Sequence, residues 1–241
     1  MPQHIGIVAC SAEGAALCYT TVCVEGAQLF GAHDHPEVSM HTHSLAQYMK
    51  CIYRNDWEGV GELMLSSANK LAKCGADFLI CPDNTVHKAL PYIERRSPLP
   101  WLHIAEVVAA EAVARGFRRL GLTGTRWLVE SEIYPEKLAA RGLKYARPSV
   151  PEREEINRII MEELVCGVFK PEAVAYLQGV IGRLKEEGCD GVILGCTEIP
   201  LIMGDANSPL PTLDSTRLLA RAALRRAAPE AAEPARQTTA R

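Results

Sequence analysis

The chain has 241 residues, 48% of them hydrophobic, and a formal net charge of −3. That length supports a sizeable core or two compact lobes of roughly 100 residues each. The slight acidity argues against nucleic acid as a main partner, and no apolar run approaches the roughly 20 residues that a membrane-spanning helix requires.

Met1-Pro2-Gln3-His4 lacks the basic and apolar regions of a signal peptide, which makes the cytoplasm the expected compartment. The nine cysteines are scattered and form no C-x-x-C pair, so neither a disulfide framework nor a zinc site is expected. Cys18, Cys23, Cys51 and Cys166 fall in helix-like segments and read as small hydrophobes.

In chain order, apolar and β-branched runs near 4–10, 36–41, 77–81, 100–104, 119–123 and 190–195 predict buried strands. Helical patterns lie between them, over about 12–30, 44–53, 56–73, 105–115, 127–140, 152–168 and 171–187. The alternation predicts an α/β fold of parallel sheets flanked by helices. Right-handed crossovers then bring the strand carboxyl ends to one edge, where ligands of open α/β sheets bind. Two lobes are expected. One comprises 1–104 with 211–227, ending in a helix over about 214–227; the other spans 105–210. Residues 228–241, rich in Ala, Glu, Pro, Thr and Arg, are expected to form a frayed tail.

A short pattern occurs twice. Gly75-Ala76-Asp77-Phe78-Leu79-Ile80-Cys81-Pro82-Asp83 parallels Gly188-Cys189-Asp190-Gly191-Val192-Ile193-Leu194-Gly195-Cys196. Aligning Asp77 with Asp190 sets Asp83 opposite Cys196. Ile5-Gly6-Ile7-Val8-Ala9-Cys10-Ser11 likewise parallels Leu120-Gly121-Leu122-Thr123-Gly124-Thr125. Two related half-sites, each ending in a proton-transfer group, suit stereochemical inversion at a carbon.

Cys196 follows a buried strand, and a helix opening behind it would stabilise the thiolate. Gly195 permits close approach of backbone or ligand. Asp83 is either an acid/base group or a helix N-cap. Cys81 shares its face if the segment stays extended, and a turn at Pro82 breaks that relation. Ser11, Asn84, Thr85, Thr125 and Thr197 sit where hydroxyls, amides and free N–H groups can hold a carboxylate or cap a helix. His41 and His43, in Met40-His41-Thr42-His43, are candidates for the pocket wall. No third ligand accompanies them, so no metal is expected. His87, His103 and Lys170 are weaker candidates.

These motifs resemble the aspartate/glutamate racemase superfamily over nearly the whole chain. Gly195-Cys196-Thr197-Glu198-Ile199-Pro200 is similar to its second cysteine motif, and Asn84-Thr85-Val86-His87 to its first. Leu122-Thr123-Gly124-Thr125-Arg126 is similar to its central Gly-Thr turn, and Ile5-Gly6-Ile7-Val8 to its opening strand. The resemblance implies two pseudo-symmetric α/β lobes with the active site in the cleft between them. It also implies a homodimer and cofactor-independent chemistry without pyridoxal phosphate, in which two cysteines serve as acid and base.

Here Asp83 stands where the first of those cysteines belongs, and Ala9-Cys10-Ser11 replaces a glycine-rich turn. Where dicarboxylate-specific members carry an arginine after the second strand, this chain has His41-Thr42-His43. The expected activity is racemisation or epimerisation of an amino acid or related carboxylate by Asp83 and Cys196. The alternatives are a one-cysteine decarboxylase or cis-trans isomerase of a small dicarboxylate on the same fold, and a non-catalytic small-molecule binder.

Overall fold

The computed structural model describes residues 1–228; the expected tail lies outside them apart from its first residue. Two four-stranded parallel sheets are each built in the same order. In the first, β1 (Ile5–Ala9) lies between β2 (Val38–Thr42) and β3 (Phe78–Ile80), and β4 (Trp101–Leu102) is added outside β3. In the second, β5 (Arg119–Thr123) lies between β6 (Lys144–Ala146) and β7 (Gly191–Leu194), and β8 (Thr212–Asp214) is added outside β7.

The duplicated aspartates explain part of this likeness. Asp77 accepts the His4 N–H at 2.7 Å, and Asp190 accepts the N–H groups of Arg118 and Arg119 at 2.7 and 3.0 Å. Each carboxylate thus fastens the start of one central strand to the other. The central strands themselves, Ile-Gly-Ile-Val-Ala and Gly-Val-Ile-Leu, are buried at every position, as strands covered on both faces must be.

Helices cover both faces. On one side of the first sheet lie α2 (Leu45–Tyr53) and α3 (Trp57–Lys73), whose Tyr48, Val60 and Met64 join Val8 and Leu79 in one core. On the other lies α1 (Ala12–Phe30), whose Cys18 and Val22 pack with Ile5, Ile7 and Phe78. The second sheet is covered by α5 (Ile104–Ala114), α6 (Arg126–Val129) and α7 (Ile133–Ala139) on one side, and by α8 (Val150–Arg158) and α9 (Pro171–Glu186) on the other. The short α4 (Leu90–Ile93) follows β3.

The last helix, α10 (Ser215–Ala227), buries Leu219, Ala220, Ala223 and Leu224 with Ile5, Ile7 and Phe78 of the first sheet, while its Leu218 joins the core of the second. The segment 211–214, expected with the first lobe, instead supplies β8 to the second sheet.

Three further details differ from expectation. The helix expected over 127–140 is two helices, because Ser131 donates to the Leu128 carbonyl at 2.7 Å and accepts from the Ile133 N–H at 3.3 Å, closing one helix and opening the next. The helix expected over 152–168 ends at Arg158 and continues as a π turn over Ile159–Glu163 and a 3₁₀ turn over Leu164–Cys166. Strands β6 and β8 were not expected. Each has three residues at a sheet edge, too few to establish an alternating pattern.

Candidate active site

Each sheet changes winding direction beside its central strand, between β1 and β3 and between β5 and β7. Ligands of open α/β sheets bind at such switch points, outside the strand carboxyl ends. Both switch points open on one cavity here, with about 540 Å³ of free space including its solvent mouth. From the first sheet come Cys10, Ser11, Asp83, Asn84 and Thr85, and from the second Thr125, Gly195, Cys196, Thr197 and Glu198.

Strand register sets these positions. Ile7 is the partner of Ile80, so three residues further on Cys10 falls beside Asp83. Thr123 is the partner of Leu194, so Thr125 falls beside Cys196. Gly195 is required where the turn crowds β5: a Cβ there would lie 2.6 Å from the Thr123 carbonyl oxygen and from Leu128.

Asp83 is partly buried at the cavity wall and accepts the Val86 N–H at 3.3 Å. Burial, followed by the negative field of Glu198, pushes its carboxyl up to about 6. The Val86 and Thr85 N–H groups and the neighbouring Cys10 thiol hold it from rising further. His87 fixes this segment from behind. Its Nε2 accepts the Ile104 N–H at 3.3 Å, which leaves Nδ1–H to donate to the Asp83 carbonyl at 2.8 Å. Burial keeps this imidazole neutral.

Cys196 is 6% exposed, and its thiol donates to Glu198 Oε2 at 2.8 Å. Burial, the Glu198 charge and this hydrogen bond push the thiol well above its ordinary value. The expected stabilisation of a thiolate by a helix amino terminus is therefore corrected. The helix that follows is a single 3₁₀ turn, Ile199–Leu201, and Cys196 is held as a thiol.

Hydroxyl pairs join the two sheets. Ser11, the N-cap of α1, lies 3.1 Å from Thr197 Oγ1, and Thr125, the N-cap of α6, lies 3.0 Å from Thr85 Oγ1. Each pair thus joins the N-cap of one lobe to a threonine just after Cys196 or Asp83 of the other. Asn84 lines the cavity, but both ends of its amide are engaged. Nδ2 donates to Ser215 at 2.9 Å, and Oδ1 accepts from Tyr134 at 2.7 Å. Its side chain latches the first lobe to α10 and α7.

Other candidates lie off the cavity. Cys81 is fully buried behind Asp83, in the core with Val8 and Leu79, and burial pushes its thiol up. Strand β3 ends at Ile80 and the 3₁₀ turn begins at Thr85; Asp83 lines the cavity and Cys81 does not. His41 points to α3, 3.0 Å from Ser67 Oγ and 2.8 Å from Lys70 Nζ. His43 contacts Ser66 at 3.2 Å and borders an adjoining groove that shares Cys10, Ser11, Leu45 and Val165 with the cavity. His103 caps α5 by accepting from the Ala105 N–H at 3.2 Å, and Lys170 pairs with Glu163 at 3.3 Å.

Sequence reasoning passed over two polar groups at this wall. Cys10 was visible only as a departure from a glycine-rich turn, yet it stands against Asp83. Glu198 was visible only as part of the cysteine motif, yet it carries the hydrogen bond of Cys196. The wall is completed by apolar side chains from α2 and the π turn, which carry no sequence signature of a site.

This arrangement defines a two-lobed α/β protein with a carboxyl and a thiol from related strand ends on one cavity. Residues 5–223 match the Asp/Glu/Hydantoin racemase family model, and the chain belongs to that family, whose relatives are named as amino-acid, glutamate and aspartate racemases and are therefore isomerases. It is 25% identical over 169 residues to the broad specificity amino-acid racemase RacX of Bacillus subtilis, covering 69% of this chain and 71% of the relative. It is 30% identical over 159 residues to a glutamate racemase of Thermus thermophilus, covering 64% of this chain and 56% of that relative. A crystal structure of an aspartate racemase homologue from Pyrococcus horikoshii superposes with a TM-score of 0.81 at 28% identity, over 94% of this chain and 99% of the other. Among the described residues no helix is long and apolar enough to cross a membrane, and no cluster of three or more His, Cys, Asp or Glu could hold a metal ion.

Proposed function

We propose that the chain is a cofactor-independent racemase or epimerase of amino acids, acting by proton transfer to and from opposite faces of the α-carbon in the cleft between the lobes. The reading rests on one observation: Asp83 and Cys196, equivalent positions of a duplicated strand, line the same cavity from different sheets.

With its carboxyl at about 6, Asp83 is largely ionised at neutral pH, while Cys196 holds its proton. Asp83 then removes the α-proton on one face, and Cys196 delivers its own to the other. The step leaves a protonated Asp83 and a Cys196 thiolate, which is the starting state for the opposite enantiomer. Glu198, already hydrogen-bonded to the thiol, is placed to take and return its proton. Ser11, Thr85, Thr125 and Thr197 would turn from one another toward the α-carboxylate. Donors fixed there stabilise the negative charge that develops as the α-proton leaves.

The test is α-proton exchange in D2O, followed by NMR on separate L and D enantiomers, with chiral analysis of the product. The expected result is exchange with net racemisation, lost in Cys196→Ala. Wild-type turnover in Cys196→Ala overturns this mechanism. Carbon dioxide release or alkene isomerisation without exchange would instead favour the one-cysteine chemistry.

A further inference from the structure

Charge balance in the cavity bears on the substrate. Two carboxylates, Asp83 and Glu198, lie in its wall, and among the described residues no Arg, Lys or His does. Glu198 is 3% exposed. Its Oε2 is engaged by Cys196, while Oε1 is buried with no hydrogen-bond partner. A buried carboxylate oxygen without a partner is costly, and an ammonium group on the ligand would satisfy it.

Apart from these carboxylates and the hydroxyl and amide groups of Ser11, Asn84, Thr85, Thr125 and Thr197, the wall is largely apolar. Leu45, Met49 and Ile52 come from α2 in the first lobe, and Trp127, Ile160 and Met161 come from the second. Ile160 and Met161 lie in the π turn Ile159–Glu163, which interrupts the helix where it meets the cavity; such turns recur at functional sites. Arg126, next to the wall residue Trp127, is exposed and stacks over its ring at 4.7 Å. It is not part of the lining.

We propose that the cavity takes α-amino acids with uncharged, apolar side chains, the α-ammonium group lying against Glu198 Oε1 and the side chain against Met49, Met161 and Trp127. This rests on the racemase reading and narrows it. An aspartate or glutamate would bring a second carboxylate into a wall that already holds two and offers no cation. Burying an unpaired charge is far more costly than burying a thioether or alkyl chain.

The test uses the wild-type enzyme in D2O with methionine, leucine and phenylalanine against aspartate and glutamate, each as separate enantiomers. Exchange should be faster on the apolar set, with kcat/KM at least about 100-fold above that for the acidic pair. Equal or faster exchange on aspartate or glutamate overturns the substrate class and leaves the racemase reading standing. Absence of exchange on every amino acid overturns both. Met161→Arg places a cation in the wall and should move the ratio toward aspartate at least about tenfold, roughly the effect of 1.4 kcal/mol. An unchanged ratio in a variant that melts like the wild type counts against the apolar subsite, and if the variant fails to fold the wild-type panel alone decides.

Discussion

The Cys196 thiol donates to Glu198 Oε2 at 2.8 Å, two residues along the same turn. Burial first, and then the carboxylate field and the hydrogen bond, favour the protonated thiol, which sits well above its ordinary value. Replacing Glu198 by Gln removes the charge and keeps the shape, so Cys196 should ionise at lower pH. Peptide-resolved iodoacetamide labelling against pH reads this directly, since the thiolate is the nucleophile. Labelling at Cys196 should become faster in Glu198→Gln near pH 8. An unchanged or slower rate means that burial alone sets the thiol, with no contribution from Glu198.

Asp83 sets the acid side of the pH profile. With its carboxyl at about 6, kcat/KM in the direction that uses it as base should rise with pH and level off above about 6. The opposite direction should follow the same curve, because the ratio of the two kcat/KM values equals the equilibrium constant at every pH. The two reacting forms, Asp83 carboxylate with Cys196 thiol and Asp83 acid with Cys196 thiolate, hold one proton between the pair. Initial rates for each enantiomer from pH 4.5 to 9 test this. A limb near the ordinary carboxylate range removes Asp83 as the proton carrier.

The Cys10 thiol stabilises the Asp83 carboxylate. Cys10→Ala should therefore move the Asp83 limb to higher pH, while activity at pH 8, in the direction using Asp83 as base, survives within about tenfold. Cys10→Ser, which keeps a donor, should hold the limb nearer its original place. Loss of turnover at every pH in a folded Cys10→Ala protein would show that Cys10 itself carries the proton.

How much of this was legible in the sequence depended on scale. Long-period features were readable: the β-α alternation, the repeat that equates Asp83 with Cys196, and the N-caps Ser11 and Thr125 all follow from local pattern. Features decided by tertiary contact were not. Asn84 reads as a ligand group because asparagine beside a strand end usually has free valences, yet Tyr134 and Ser215, distant in sequence, occupy its amide. His41 reads as a pocket residue from its place after β2, yet α3 supplies Ser67 and Lys70 as partners on the other side. The apolar wall from α2 and the π turn could not be told from core, because the same residue types serve both.

Asp83 should also reduce stability. Its folded-state pKa, about 6, exceeds the ordinary value of 3.8, so between these pH values the folded chain binds the proton more tightly than the unfolded one. The favourable contribution is present in full below the unfolded value, and it is lost as pH rises through about 6. Above that pH the folded state must hold the ionised carboxylate in a poor setting, at a cost of up to about 3 kcal/mol. Asp83→Asn removes the charge and keeps an acceptor for the Val86 N–H. It should therefore raise Tm by several degrees at pH 8, and the advantage over wild type should shrink to a small remainder by about pH 4, as pH approaches the unfolded value of 3.8. Paired thermal melts at pH 8 and pH 4 measure this difference of differences. A variant no more stable than wild type at pH 8 means that the surrounding N–H groups and Cys10 fully compensate the carboxylate. A more stable but inactive variant would identify Asp83 as a group retained for chemistry at the expense of the fold.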